Sequence, residues 1–198
     1  MKAMTNMQLD EIVRLIDPTL AVKRQLKPSS LQVYEVEMEG NKHVLKIAKP
    51  QYRWGHKHIR NERDILQIAH NIPGITHLVR DYGCVNDNYA ILKEYFEGES
   101  IHHCSNNRGI VLPCAMEMVR DIICRFHSLG FAELDAHPHN VIISPDGRGA
   151  CIIDFGLYVT KSDNKEIFEE AKKRDNLRFE YLISLCKDEG LLQDGSGR

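Results

Sequence analysis

Asp135, Asn140 and Asp154 carry the densest chemical signal in this 198-residue chain. The asparagine follows the first aspartate by five residues, and the second aspartate lies fourteen further on. Phosphoryl transfer from ATP needs such a set. One carboxylate orients the attacking hydroxyl; an amide oxygen and a second carboxylate hold the Mg²⁺ ions that neutralise the moving phosphate. The flanking residues are Glu133-Leu134-Asp135-Ala136-His137-Pro138-His139-Asn140 and Asp154-Phe155-Gly156.

These groups need elements to position them. Leu112, Ala115, Met116, Val119, Ile122, Ile123, Phe126 and Leu129 recur at helical spacing, which predicts a core-facing helix ended by Gly130, just before Asp135. Residues 140–144 and 150–153 are β-rich and flank Pro145-Asp146-Gly147, which predicts a hairpin. Upstream, residues 7–16 read as a helix ended by Asp17-Pro18, and Lys27-Pro28-Ser29-Ser30 as a turn. Residues 31–38 and 43–48 read as strands, 50–55 as a loop, and 58–69 as a helix stopped before Pro73-Gly74. Residues 77–85 and 89–95 alternate as strands around Asn86-Asp87-Asn88, and 98–108 reads as a polar loop. After Gly156, Asp163-Asn164-Lys165-Glu166 reads as a helix N-cap, followed by one broken or two short helices and a polar, Gly-rich tail over 193–198.

Composition narrows the class. The net charge is −2, so the total carries no nucleic-acid or membrane footprint. No apolar stretch has transmembrane length, and no secretory signal pattern is present. The six cysteines are scattered without C-x-x-C spacing, with Cys124 and Cys151 read as small core residues; a reducing cytoplasm is the expected home. The ten histidines lack a Cys or carboxylate partner that would complete a zinc pattern.

The segment from Asp135 to Gly156 resembles the catalytic loop, hairpin and D-F-G element of the protein-kinase superfamily. The other kinase elements follow in order from about Leu26 to Tyr158. Gly40-Asn41-Lys42-His43-Val44-Leu45-Lys46-Ile47 is similar to the turn and strand that carry the phosphate-pairing lysine, and Asn61-Glu62-Arg63-Asp64 to the helix that offers it a glutamate. Glu94-Tyr95-Phe96 resembles the hinge backbone. The resemblance implies an α+β, bilobal protein-kinase-like fold: a small antiparallel-sheet N-lobe over residues 1–97 and a reduced helical C-lobe over 98–198. It implies ATP and Mg²⁺ as cofactors. Lys46 would contact the phosphates, with Glu62 fixing its ammonium; Ser29, Ser30, Val33, Glu94 and Phe96 would line the nucleotide site, and Glu97 or Glu99 would meet the ribose. Asp135 would accept the hydroxyl proton, and Asn140 and Asp154 would bind the metal. An ordinary strand lysine and a surface helix glutamate are the competing reading of Lys46 and Glu62.

The departures shape the expected activity. No glycine stands in the nucleotide-covering loop; Ser29 and Ser30 either replace it with hydroxyl and amide donors, as in the RIO kinases, or form a plain turn. Leu134 replaces the catalytic-loop arginine that clamps a phosphorylated activation loop, which implies a constitutive enzyme. His137 stands where Ser/Thr kinases carry a lysine, and Asp135-Ala136-His137-Pro138-His139-Asn140 is similar to the aminoglycoside and choline phosphotransferases. Lys93 takes a position before the hinge that is commonly apolar; snorkelling or pairing with a carboxylate such as Glu62 would satisfy it. Asp175 reads as a solvated helix residue, with anchoring of the catalytic loop as the alternative.

The expected function is a minimal, monomeric Ser/Thr protein kinase with a protein substrate. Its size resembles the smallest type III secreted bacterial effector kinases. One such family phosphorylates the host's ninety-kilodalton heat-shock chaperone, so the resemblance implies a virulence effector acting in host cytoplasm on such a partner. A small-molecule phosphotransferase and a catalytically dead binding scaffold are the alternatives.

Overall fold

Alternating apolar side chains build a sheet from the first half of the chain. A computed structural model describes residues 6–28, 31–107 and 110–192. The chain divides into two units, Met1–Gln67 with His77–Tyr95, and Ile68–Thr76 with Phe96–Arg198.

In the first unit, helix α1 (Asn6–Ile16) precedes strands β1 (Ala21–Pro28), β2 (Leu31–Met38) and β3 (Asn41–Ala48). Helix α2 (Arg53–Ile68) follows, then β4 (Leu78–Val85) and β5 (Asn88–Glu94). The strands form one antiparallel sheet in the order β1-β2-β3-β5-β4. Val13, Ile16 and Leu20 cover one face, against Tyr34, Val36, Leu45, Ile47, Ala90 and Leu92. Each such side chain taken from water contributes about 1.5–3 kcal/mol. The two-residue period of β3 turns Val44, Lys46 and Ala48 to the opposite face, and this end of the strand is buried on both sides. Gly55 of α2 approaches that face closely: a Cβ there would lie 3.0 Å from Leu31 and 3.3 Å from Ala48.

A buried carboxylate ties α1 to the sheet. Asp17 accepts hydrogen bonds from Thr19 N–H and hydroxyl (2.9 and 2.6 Å), from Tyr82 Oη (2.7 Å) and from Arg80 Nη1 (2.7 Å). Burial pushes its carboxyl upward, but the Thr19 and Tyr82 hydrogen bonds and the Arg80 charge outweigh that and hold it below its ordinary value.

Two sequence expectations change here. Residues 21–26, not read as an element, and Lys27-Pro28, read as the start of a turn, form edge strand β1; its Lys23, Arg24 and Lys27 disguise the apolar pattern, as edge strands often do. The helix read from residue 58 begins at Arg53, because Gly55 serves close packing inside the first turn rather than ending a loop.

The second unit follows a helical stripe. It contains β6 (Glu99–Ser100), α3 (Ile101–Asn107), α4 (Pro113–Ser128), β7 (Phe131–Ala132), β8 (Val141–Ile143), β9 (Ala150–Ile152), β10 (Val159–Thr160) and α5 (Lys165–Asp188). The predicted stripe of α4 is buried at Ala115, Met116, Val119, Ile122, Ile123 and Phe126. β6, β8 and β9 form a three-stranded sheet, and β7 pairs with β10. Part of the segment read as a loop over 98–108 is helix α3, which buries Ile101 and Cys104 one turn apart. Cys124 is exposed rather than in the core, because the helical period turns it away from Ile123 and Phe126. The last helix is one continuous element of 24 residues, with no Gly or Pro to break it. Asn164 Oδ1 caps it by accepting from Ile167 N–H at 3.0 Å.

Candidate active site

Two clusters hold the residues of interest, one in each unit. In the sheet unit, Lys46 and Glu62 meet: Lys46 Nζ donates to Glu62 Oε2 at 2.5 Å. Lys93 Nζ donates to the other oxygen, Oε1, at 2.6 Å. All three side chains are at most 5% exposed. Burial of charge at this depth is tolerated only with close, hydrogen-bonded partners. Val33 stands directly across the ladder from Lys46, so the two share a face. Glu94 ends β5 with its carboxylate engaged by His77, through N–H at 3.0 Å and Nδ1 at 3.1 Å. Ser29 and Ser30 lie outside the described residues.

In the helical unit, the loop between β7 and β8 brings Asp135, His137 and Asn140 together. His137 N–H donates to Asp135 O, and Asn140 N–H to His137 O, both at 2.8 Å. Asn140 Nδ2 donates to Asp135 O at 3.2 Å and to Oδ2 at 3.4 Å. The amide is thereby oriented, and its oxygen is the atom left for a ligand. His137 Nδ1 accepts from His139 N–H at 3.2 Å, so the neutral ring carries its proton on Nε2, 3.6 Å from Asp135 Oδ2. Ile153 N–H donates to Asn140 O at 2.8 Å, next to the Val141–Ile152 ladder pair. Asn140 and Asp154 therefore leave adjacent strands at the same end of the hairpin. Phe155 is buried and stacks on Phe126 of α4 with ring centroids 5.3 Å apart, which fixes the backbone beside Asp154. Phe96 belongs to this unit, with its ring near Gly149.

The donor set suits Mg²⁺. An oriented amide oxygen and one carboxylate are hard oxygen ligands, and Mg²⁺ is commonly held by one or two protein oxygens while substrate phosphates and water complete its shell.

This loop is strained and externally held. Glu133 (φ 67°), Asp135 (φ 52°) and Asp154 (φ 73°) all adopt left-handed backbone, which costs a non-glycine residue of order 1–3 kcal/mol. The left-handed turn falls on Asp154 itself. Asp175 of α5 is fully buried and accepts from Glu133 N–H and Leu134 N–H, each at 2.9 Å, and from His127 Nε2 at 3.0 Å. The reading of Asp175 as a solvated residue is thus corrected: it is an anchor, because two successive loop amides donate to its carboxylate. Arg174 Nε donates to Glu133 Oε2 at 2.8 Å, and Arg178 Nη2 lies 3.1 Å from Glu133 Oε1 and 3.8 Å from Asp135 Oδ1. Leu134 points into the core. Guanidinium groups therefore reach this loop from α5, where the sequence reading found no cation at Leu134. The spacing of Arg174, Asp175 and Arg178 places them on one side of a helix, a usable signal, but nothing local ties them to a loop some forty residues earlier.

No family model matches the chain. Among solved structures, the chain is similar to the crystal structure of the PF14_0431 kinase domain, with a TM-score of 0.64 at 16% sequence identity. The match covers 75% of this chain and 54% of that one, so the chain spans about half the length of the protein it matches. The fold is α+β and protein-kinase-like, with a five-stranded antiparallel sheet in one unit and a helical second unit.

Proposed function

We propose that this chain is an ATP- and Mg²⁺-dependent phosphotransferase that acts on serine or threonine hydroxyls of a protein substrate. One observation carries the reading: Asn140 bonds the Asp135 carboxylate and, through its own carbonyl, the residue preceding Asp154. Three groups that phosphoryl transfer uses together are thereby held in one loop and hairpin of a kinase-like fold. Asp135, with its side chain one-third exposed, orients the substrate hydroxyl and receives its proton as the oxygen attacks the γ-phosphorus. The phosphorus–oxygen bond to ADP then breaks. The His137 Nε2–H donates to the transferring group. Lys46, oriented by Glu62, binds phosphate oxygens. Asn140 and Asp154 would hold Mg²⁺, which when bound neutralises charge on the phosphates. The finer proposal, a secreted effector acting on a host chaperone, rests on the sequence resemblance alone; Leu134 in place of the regulatory arginine supports a constitutive enzyme.

A second reading, a small-molecule phosphotransferase, is favoured by His137-Pro138 beside Asp135. Incubation with γ-labelled ATP and host lysate separates the two. Label in protein bands, absent with Asp135→Ala, supports the first. Turnover only with sugars, choline or aminoglycosides supports the second, and no transfer to any acceptor removes both.

A further inference from the structure

Glu62 is the single charged residue on the buried stripe of α2, among Gly55, Ile59, Ile65 and Leu66. Its two oxygens are held by different strands. The ladder pairs Lys46 with Ile91 and Val44 with Lys93, so Lys46 of β3 and Lys93 of β5 are diagonal neighbours on one face. Lys46 takes Oε2 and Lys93 takes Oε1. Lys93 is only 2% exposed, so its ammonium depends on protein partners rather than water. A movement of α2 that separated Glu62 from Lys46 would also have to break the buried Lys93–Glu62 pair. A single lysine permits a helix to swing in and out; two lysines from neighbouring strands do not.

We infer that Lys93 is a positioning residue that locks α2 to the sheet, so that the Lys46–Glu62 pair is assembled before any ligand or modification arrives. The inference rests on the phosphotransferase reading, in which that pair sets the lysine that meets the phosphates. It makes regulation by displacement of α2 unavailable to this chain. Lys93 acts through Glu62 and Lys46 rather than on the phosphates themselves.

The test is Lys93→Met, which keeps length and apolar stem but removes the charge. Hydrogen exchange is measured on the full chain without nucleotide, and phosphotransfer is measured as a function of ATP. Amide exchange over residues 59–66 is expected to rise about tenfold relative to the β2–β3 amides. The kcat is expected to fall about tenfold with KM for ATP within about threefold, since the loss is felt in the transition state. Should Lys93→Met not fold, the wild-type chain without nucleotide decides: amides of residues 59–66 that exchange as slowly as the β2–β3 amides support the lock, and amides that exchange much faster overturn it. Unchanged exchange in α2 with unchanged kcat overturns the inference. So does a rise in KM alone, which would make Lys93 a phosphate ligand. If the wild-type chain transfers no phosphate to any acceptor, the phosphotransferase reading fails, while the exchange data still decide whether Lys93 holds α2.

Discussion

The cluster around Glu62 and the loop around Asp135 are held in opposite ways. At Glu62 the three charged side chains are buried and satisfy one another, and strand register sets their spacing. At Asp135 the side chains of Asp135 and His137 are about one-third exposed, and the backbone beneath them is held by another element, α5, through Asp175. The first arrangement gives fixed charge at the expense of desolvation. The second leaves reactive groups open to solvent and substrate, with the strain of left-handed residues offset from behind. Chemistry and positioning coincide at Glu62 and are separate at Asp135.

That contrast can be broken experimentally. The largest effect should come from Asp135→Asn. Phosphotransfer is expected to fall about a thousandfold with little change in the urea midpoint, because the side chain is one-third exposed and the loop hangs from Asp175. A large loss of stability would mean that positioning and chemistry are joined here too. Glu62→Gln should do the reverse and damage the fold, because it removes the negative charge that two buried ammonium groups share. About 3–5 kcal/mol should be lost in urea unfolding, more than with Lys93→Met, which leaves Glu62 paired to Lys46. Equal losses in the two variants would show that Glu62 does not depend on both lysines.

Asp175→Ala should cost about 3 kcal/mol, since one buried and one partly buried amide lose their acceptor, and should lower phosphotransfer although Asp175 meets no substrate. Activity that survives this change intact would remove α5 from the account of the loop. Arg178→Ala removes ion pairs to the partly exposed Glu133 and Asp135 and a longer contact, 3.8 Å, to the buried Asp175, so stability should shift by about 1 kcal/mol, read from the same urea curves. An effect of similar size concerns Asp17, whose carboxyl is held below its ordinary value. Its contribution is complete above about pH 4 and is lost as pH falls through the lowered folded value. Acid titration of stability should be shallower in Asp17→Asn by about 1 kcal/mol; identical acid limbs would deny the carboxyl this role.

Much of the scaffold was legible along the chain. The α4 stripe, the strands read over 31–38 and 43–48, the hairpin around Pro145-Asp146-Gly147 and the Asn164 cap have local signatures, because periodicity and turn chemistry act within a few residues. β1 was illegible, since an edge strand dressed in lysine and arginine has no apolar alternation to read. The continuity of α5 was illegible as well, because its charged middle looks like a break until Asp175 is seen to be buried.

By itself the sequence determined which groups could do chemistry: Asp135, Asn140 and Asp154 at short spacing, and a lysine and a glutamate upstream. Only the tertiary structure decided what those groups lean on. Lys93 reaches Glu62 from 31 residues away, and Asp175 reaches Glu133 from 42. Neither partnership has a local signature, because a buried charge and its partner are matched by strand register and helix packing rather than by neighbouring residues.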